Sequence, residues 1–149
     1  MSLAKALHYA IDNRAQVVNL SLSGPPDQLL GKLIDAATPR GIVVVGAADP
    51  KLAGGGFPAS HRGVVAVTSG PGAAGTYAAP GLDVPTTLPG GRWSLVSGSS
   101  YSAAHVSGLC ALMREKNPRG PMRPTLVTGR GSAVDACAKL MPQGGCSAN

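Results

Sequence analysis

Gln16-Val17-Val18-Asn19-Leu20-Ser21-Leu22 and Ile42-Val43-Val44-Val45-Gly46-Ala47 together decide the fold. The first run is rich in β-branched residues and stops at Ser23-Gly24-Pro25-Pro26, a turn-forming cluster. The second is apolar throughout, the pattern of a strand covered on both faces. Between them, residues 27–38 put Leu29, Leu30, Leu33, Ile34 and Ala37 on one helical face, closed by Pro39 and Gly41. Apolar strands alternating with a helix predict a parallel sheet in a three-layer α/β domain.

Working outward, Leu3, Leu7, Ala10 and Ile11 share a face, so residues 3–14 read as a helix. A loop rich in Gly and Pro over 49–63 leads to a third strand, Val64-Val65-Ala66-Val67-Thr68. Residues 69–99 read as irregular, with short extended pieces near 76–84 and 92–97. A long helix is expected from about Ser100 to Lys116, stopping before Pro118, and a short one over about 132–140. Parallel sheets bind ligands at the carboxyl ends of their strands. The loops at Ser23, Asp49 and Ser99 are expected on that edge.

At 149 residues the chain can bury one compact core. It has no apolar run long enough to cross a bilayer, so no membrane partner is expected. Met1 leads straight into an amphipathic pattern and not into a charged-then-apolar leader. The net charge of +6 raises nucleic acid as a partner. Its basic residues are scattered, however, and aromatics are only 3 % of the chain, so a solvated surface is the better reading. Gly54-Gly55-Gly56-Phe57-Pro58 precedes no helix and lacks Gly-Lys-Ser/Thr, which excludes a phosphate loop.

Cys110 falls in the long helix and reads as a small core residue. Cys137 and Cys146 bracket Pro142, Gly144 and Gly145. They either close a small loop by a disulfide, worth about 2.7 kcal/mol on the chain-entropy argument, or remain two free thiols. The bridge would imply an oxidising compartment.

Ser97-Gly98-Ser99-Ser100-Tyr101-Ser102-Ala103-Ala104-His105-Val106-Ser107-Gly108 carries the chemistry. It sets a hydroxyl between small residues where a glycine-permitted turn becomes a helix. There the first-turn N–H groups and the positive dipole end face a developing oxyanion. The competing role for Ser100 is that of a helix N-cap.

This segment resembles the nucleophile motif of subtilisin-like serine peptidases, Ser-Gly-Thr-Ser-Met-Ala-(Ala/Ser)-Pro-His-Val-Ala-Gly. Further blocks follow the family's order. Val17 to Gly24 resembles Val-Ile-Asn-Met-Ser-Leu-Gly-Gly, and Gly41 to Ala48 is similar to the strand entering Ala-Ala-Gly-Asn. Phe57-Pro58-Ala59 with Val64 to Val67, Ala79-Pro80-Gly81, Thr87 to Gly91, and Gly131 with Val134-Asp135-Ala136 match later family segments.

The resemblance implies a subtilisin-like three-layer fold, incomplete and corresponding to its C-terminal portion. It also implies a serine endopeptidase acting on polypeptides, with Ser100 as nucleophile. Ser21, Leu22, Ser23 and Gly24 would pair with an extended peptide. Ala47, Ala48 and Ser99 would wall the pocket for the residue before the cleaved bond. Either Asp49 or Pro50 takes the position of the family's oxyanion Asn. Asp49 is the favoured candidate, able to donate only if protonated, and its competing role is an Asp-Pro turn. Calcium is implied by the family but not by any residue cluster, and no other cofactor or metal is expected. Secretion or export to a periplasm is likewise a family expectation.

Two family motifs are missing from the sequence, Asp-(Ser/Thr)-Gly and His-Gly-Thr, which supply the orienting carboxylate and the base. His8 lies on the first helix, His61 in a loop, and His105 more than a turn beyond Ser100. None is expected to serve as the base. The chain is therefore expected to be near-inactive alone, with an N-terminal half carrying Asp and His as its partner. The alternative is a non-catalytic remnant that keeps at most peptide binding.

Overall fold

The computed structural model describes residues 2–71, 75–120, 126 and 133–141. Its centre is a parallel sheet of β1 (Val17–Leu20), β2 (Val43–Ala47), β3 (Val64–Thr68) and β4 (Tyr77–Ala78), in that spatial order. Val18 pairs with Val44, and Val45 pairs with Val65, so the two apolar runs lie side by side in parallel register.

Helices cover both faces. Before β1 comes α1 (Leu3–Asp12), and between β1 and β2 comes α2 (Gln28–Ala37). Leu7 and Ile11 of α1 join Leu30, Ile34 and Ala37 of α2 against Leu20, Val44 and Val64. On the other face, α3 (Ser99–Lys116) lays Ala103, Val106, Leu109 and Cys110 on Val43, Val45, Val65 and Val67. Every residue of β2 and β3 is buried because each strand faces a helix layer above and below. Burying one such Val or Ile contributes about 1.5–3 kcal/mol. The three-layer arrangement inferred from the two apolar runs is the one observed.

The helix boundaries have local causes. Asp27 caps α2, its Oδ1 accepting from the Leu30 N–H at 2.9 Å. Helix α1 stops at Asp12, two residues short of the expected 3–14, because Arg14 turns left-handed at φ 56°. The Ala15 N–H then reaches back to the Ala10 carbonyl at 2.9 Å, closing the helix end. The short C-terminal helix α4 (Ala136–Leu140) begins later than the expected 132, since Asp135 caps it through the Ala138 N–H at 2.8 Å.

The largest correction concerns residues 69–99. They include an antiparallel hairpin of β5 (Val84–Leu88) and β6 (Arg92–Val96), which the sequence reading treated as isolated extended pieces. Gly90 and Gly91, at φ 83° and 72°, make its tight turn. Its outer face pairs Thr87 with Trp93 and Pro85 with Leu95, and Trp93 is 75 % exposed.

Candidate active site

Ser100 is not the cap of α3. That position belongs to Gly98, whose φ of 155° suits glycine alone, and Ser100 stands second in the helix. The backbone bends there because the Gly98 N–H bonds the Gly81 carbonyl at 2.7 Å. Gly81 must itself lack a side chain, since a Cβ would come within 2.7 Å of Ser69 Cβ and strike the Ser102 hydroxyl. Ser102 is fully buried and donates to the Ala79 carbonyl at 3.0 Å, tying the first turn of α3 to the strand end.

This turn meets the carboxyl ends of β1 and β2 in an open cavity of about 240 Å³. It is lined by Leu22, Ser23, Ala47, Ala48, Asp49, Pro50, Ser99 and Ser100. Each of the three loops expected on this edge contributes. Small side chains at 47 and 48 leave the room, and the first-turn amides of Ser99 and Ser100 lie beyond the reach of intrahelical acceptors. A smaller space of about 140 Å³ sits behind the same wall, between Ala48 to Pro50 and Thr68, Pro71 and Thr76.

Ser21 joins the site by a reciprocal contact. Its Oγ donates to the Ser100 carbonyl at 2.8 Å, while Ser100 Oγ donates to the Ser21 carbonyl at 3.2 Å. Asn19 Nδ2 donates to Ser21 Oγ at 2.9 Å and so supports it. Sequence reasoning assigned Asn19 no role, and its only signal was an amide facing outward in an otherwise apolar strand. Gly24 stands apart, its N–H and carbonyl both taken by Phe57, at 2.8 and 3.1 Å.

Asp49 lines the cavity together with Ser100, but its Oδ1 accepts the Lys51 N–H at 2.9 Å, the bond of an Asp-Pro turn.

The three histidines are all elsewhere. His8 pairs with Asp12 on exposed α1 at 3.2 Å. His61 accepts the Gly63 N–H on Nδ1 at 3.1 Å and faces Asp35 across 3.8 Å. His105 places Nδ1 at 2.9 Å from the Pro80 carbonyl, so that nitrogen carries the proton. The hydrogen of the Ser100 hydroxyl thus points at a carbonyl, which cannot remove it.

Cys110 is a free, buried thiol whose pKa burial raises to about 11, against a smaller lowering by Arg114. Cys137 is disulfide-bonded, and Cys146 lies outside the described residues, as does Gly131. Among the described residues no cluster of His, Cys, Asp or Glu could hold a metal ion, and no helix is long and apolar enough to cross a membrane.

No family model matches the chain. Subtilisin Savinase of Lederbergia lenta is 35 % identical over 130 residues, covering 78 % of this chain and 48 % of that protein. M-protease of Shouchella clausii strain KSM-K16 is equally similar, with 34 % of its length covered. The chain spans about half the length of these relatives, or less. Among solved structures, patellamide maturation protease PatA superposes with a TM-score of 0.73 at 20 % identity, covering 94 % of this chain and 67 % of that one. Sphericase superposes with a TM-score of 0.68 at 22 % identity, covering 80 % and 50 %. Its sequence relatives and its shared fold place this chain among the subtilisin-like peptidases, consistent with the C-terminal portion of their domain.

Proposed function

We propose that this chain supplies the acylating serine and the peptide-binding strand of a serine endopeptidase acting on polypeptides. The observation that carries the reading is Ser100 on the first turn of α3, sharing one cavity with Ser23, Ala47, Ala48 and Ser99. An extended substrate would pair along Ser21 to Ser23, with the side chain before the cleaved bond between Ala47 and Ala48. Ser100 Oγ would then attack the scissile carbonyl. The Ser100 N–H, at the positive end of α3, would hold the oxyanion. Asp49, on the wall of the same cavity, would assist only if protonated on Oδ2, the oxygen that does not accept the Lys51 N–H.

Transfer of the Ser100 proton needs a base that none of the chain's three histidines supplies in this arrangement. The base would come from a histidine outside these 149 residues, carried with its orienting Asp on a longer form or on a second polypeptide. Alone, the chain would be near-inactive as a peptidase, keeping only what binding and the oxyanion donor contribute.

A fluorophosphonate probe tests this reading. Ser100 should label slowly in the 149-residue chain and rapidly once any polypeptide encoded directly upstream is present, with Ser100→Ala abolishing both. No labelling of Ser100 in either sample rules the endopeptidase out. The non-catalytic peptide-binding reading then stands, favoured by the Ser100 hydroxyl already being engaged with the Ser21 carbonyl.

A further inference from the structure

A large open cavity lies at the other end of the sheet, where β1 and β2 begin. It encloses about 600 Å³ and is lined by Arg14, Arg40 and Arg114 together with Asp12, Gln16 and Gly41. Three arginines thus line one space from three different elements: the end of α1, the turn after α2, and the last turns of α3.

Among the described residues these arginines have no counterion. All seven of its Asp and Glu residues are described, and no carboxylate comes within 4.0 Å of any of the three guanidinium groups. Asp12, the one acid on the cavity wall, pairs with His8 at 3.2 Å. Arg114 is braced by donating to the Gly41 carbonyl at 3.0 Å, which fixes its fork at the cavity.

Helix dipoles account for one cation at each helix end but not for three arginines lining a common space. Arg14 adds a second anomaly. It occupies the left-handed position that closes α1, at φ 56°, where glycine or asparagine would be unstrained. Holding an arginine there costs about 1–2 kcal/mol. The strained residue is one that brings charge to the cavity.

We infer that this cavity binds a multiply charged organic oxyanion, of the polycarboxylate or phosphate-ester class. Guanidinium forks match both groups by paired N–H···O bonds. The volume falls in the range of small-molecule sites. The site lies at the amino ends of the strands, away from Ser100, and does not depend on the peptidase reading.

Calorimetric titration of the full chain with citrate and with pyrophosphate, at fixed ionic strength, tests the inference. Saturable binding of at least one anion is expected, and the tighter of the two identifies the preferred group. Arg40→Gln and Arg14→Gly should each weaken it by about tenfold or more. Arg14→Gly should also melt higher without ligand, because glycine relieves the left-handed strain. That separates lost binding from lost folding. Failure of both anions to saturate, or affinity unchanged in both variants, overturns the inference.

Discussion

Two strands of equal length, β2 and β6, belong to opposite regimes. Val43–Ala47 is buried at every position, whereas Arg92–Val96 exposes Arg92, Trp93 and Leu95. The difference lies in neighbours as well as in apolarity, since β6 carries Arg92 and Ser94 where β2 is apolar throughout. β2 has a strand on each side and a helix layer on each face, while β6 pairs only with β5. Yet both deliver residues to the same site, β2 leading to Ala47 and Asp49 and β6 leading to Gly98 and Ser100. One region gives the site its rigidity, and the other supplies the turn that exposes the hydroxyl.

The contrast is broken most severely by a charge. Val45→Asp should prevent cooperative folding, since an unpaired carboxylate between layers costs several kcal/mol, roughly the whole stability of such a domain. The matching change Leu95→Asp should leave the thermal midpoint nearly unmoved, and both are read by a circular-dichroism melt.

Next comes Cys110 beneath α3, whose folded pKa of about 11 exceeds the unfolded 9.0. A raised folded value means the protonated thiol stabilises the fold fully below pH 9.0, and that contribution fades as pH climbs toward 11. The loss should approach about 2–3 kcal/mol at the alkaline limit. Urea melts at stepped pH should show it, and Cys110→Ala should flatten the decline.

Gly98→Ala is smaller in stability, about 1–3 kcal/mol for a side chain at φ 155°. It should slow fluorophosphonate labelling out of proportion, because the turn that presents Ser100 shifts. Smallest of all, Trp93→Ser should change stability by less than about 0.5 kcal/mol. A larger loss would mean that the outer face of the hairpin is packed against something in solution.

The same contrast marks what the sequence made legible. Continuous apolar runs at 42–47 and 64–67 announced strands covered on both faces, and the helical spacing of Leu29, Leu30, Leu33 and Ile34 announced the layer above them. Those signals come from burial, which periodicity records. The hairpin buries little, so Val84-Pro85-Thr86-Thr87-Leu88 carries no clean alternation, and its pairing depends on the Gly90-Gly91 turn.

At the site, Ser100 lines one cavity with Leu22, Ser23, Ala47, Ala48 and Ser99. The Ser21–Ser100 exchange and the closure of Gly24 by Phe57 were beyond reach. Both use backbone carbonyls of a distant segment as acceptors, and residue patterns along the chain do not encode them. The cap at Gly98 instead of Ser100 turned on a dihedral angle that only glycine adopts comfortably.

The most direct measurement is a structure of the chain soaked with a peptide boronate, a probe that bonds to a serine oxygen without needing a base. The account predicts a covalent bond to Ser100 Oγ, the peptide backbone along Ser21 to Ser23, and its terminal side chain between Ala47 and Ala48. A boronate found on another hydroxyl, or absent from Ser100 at saturating concentration, would contradict it.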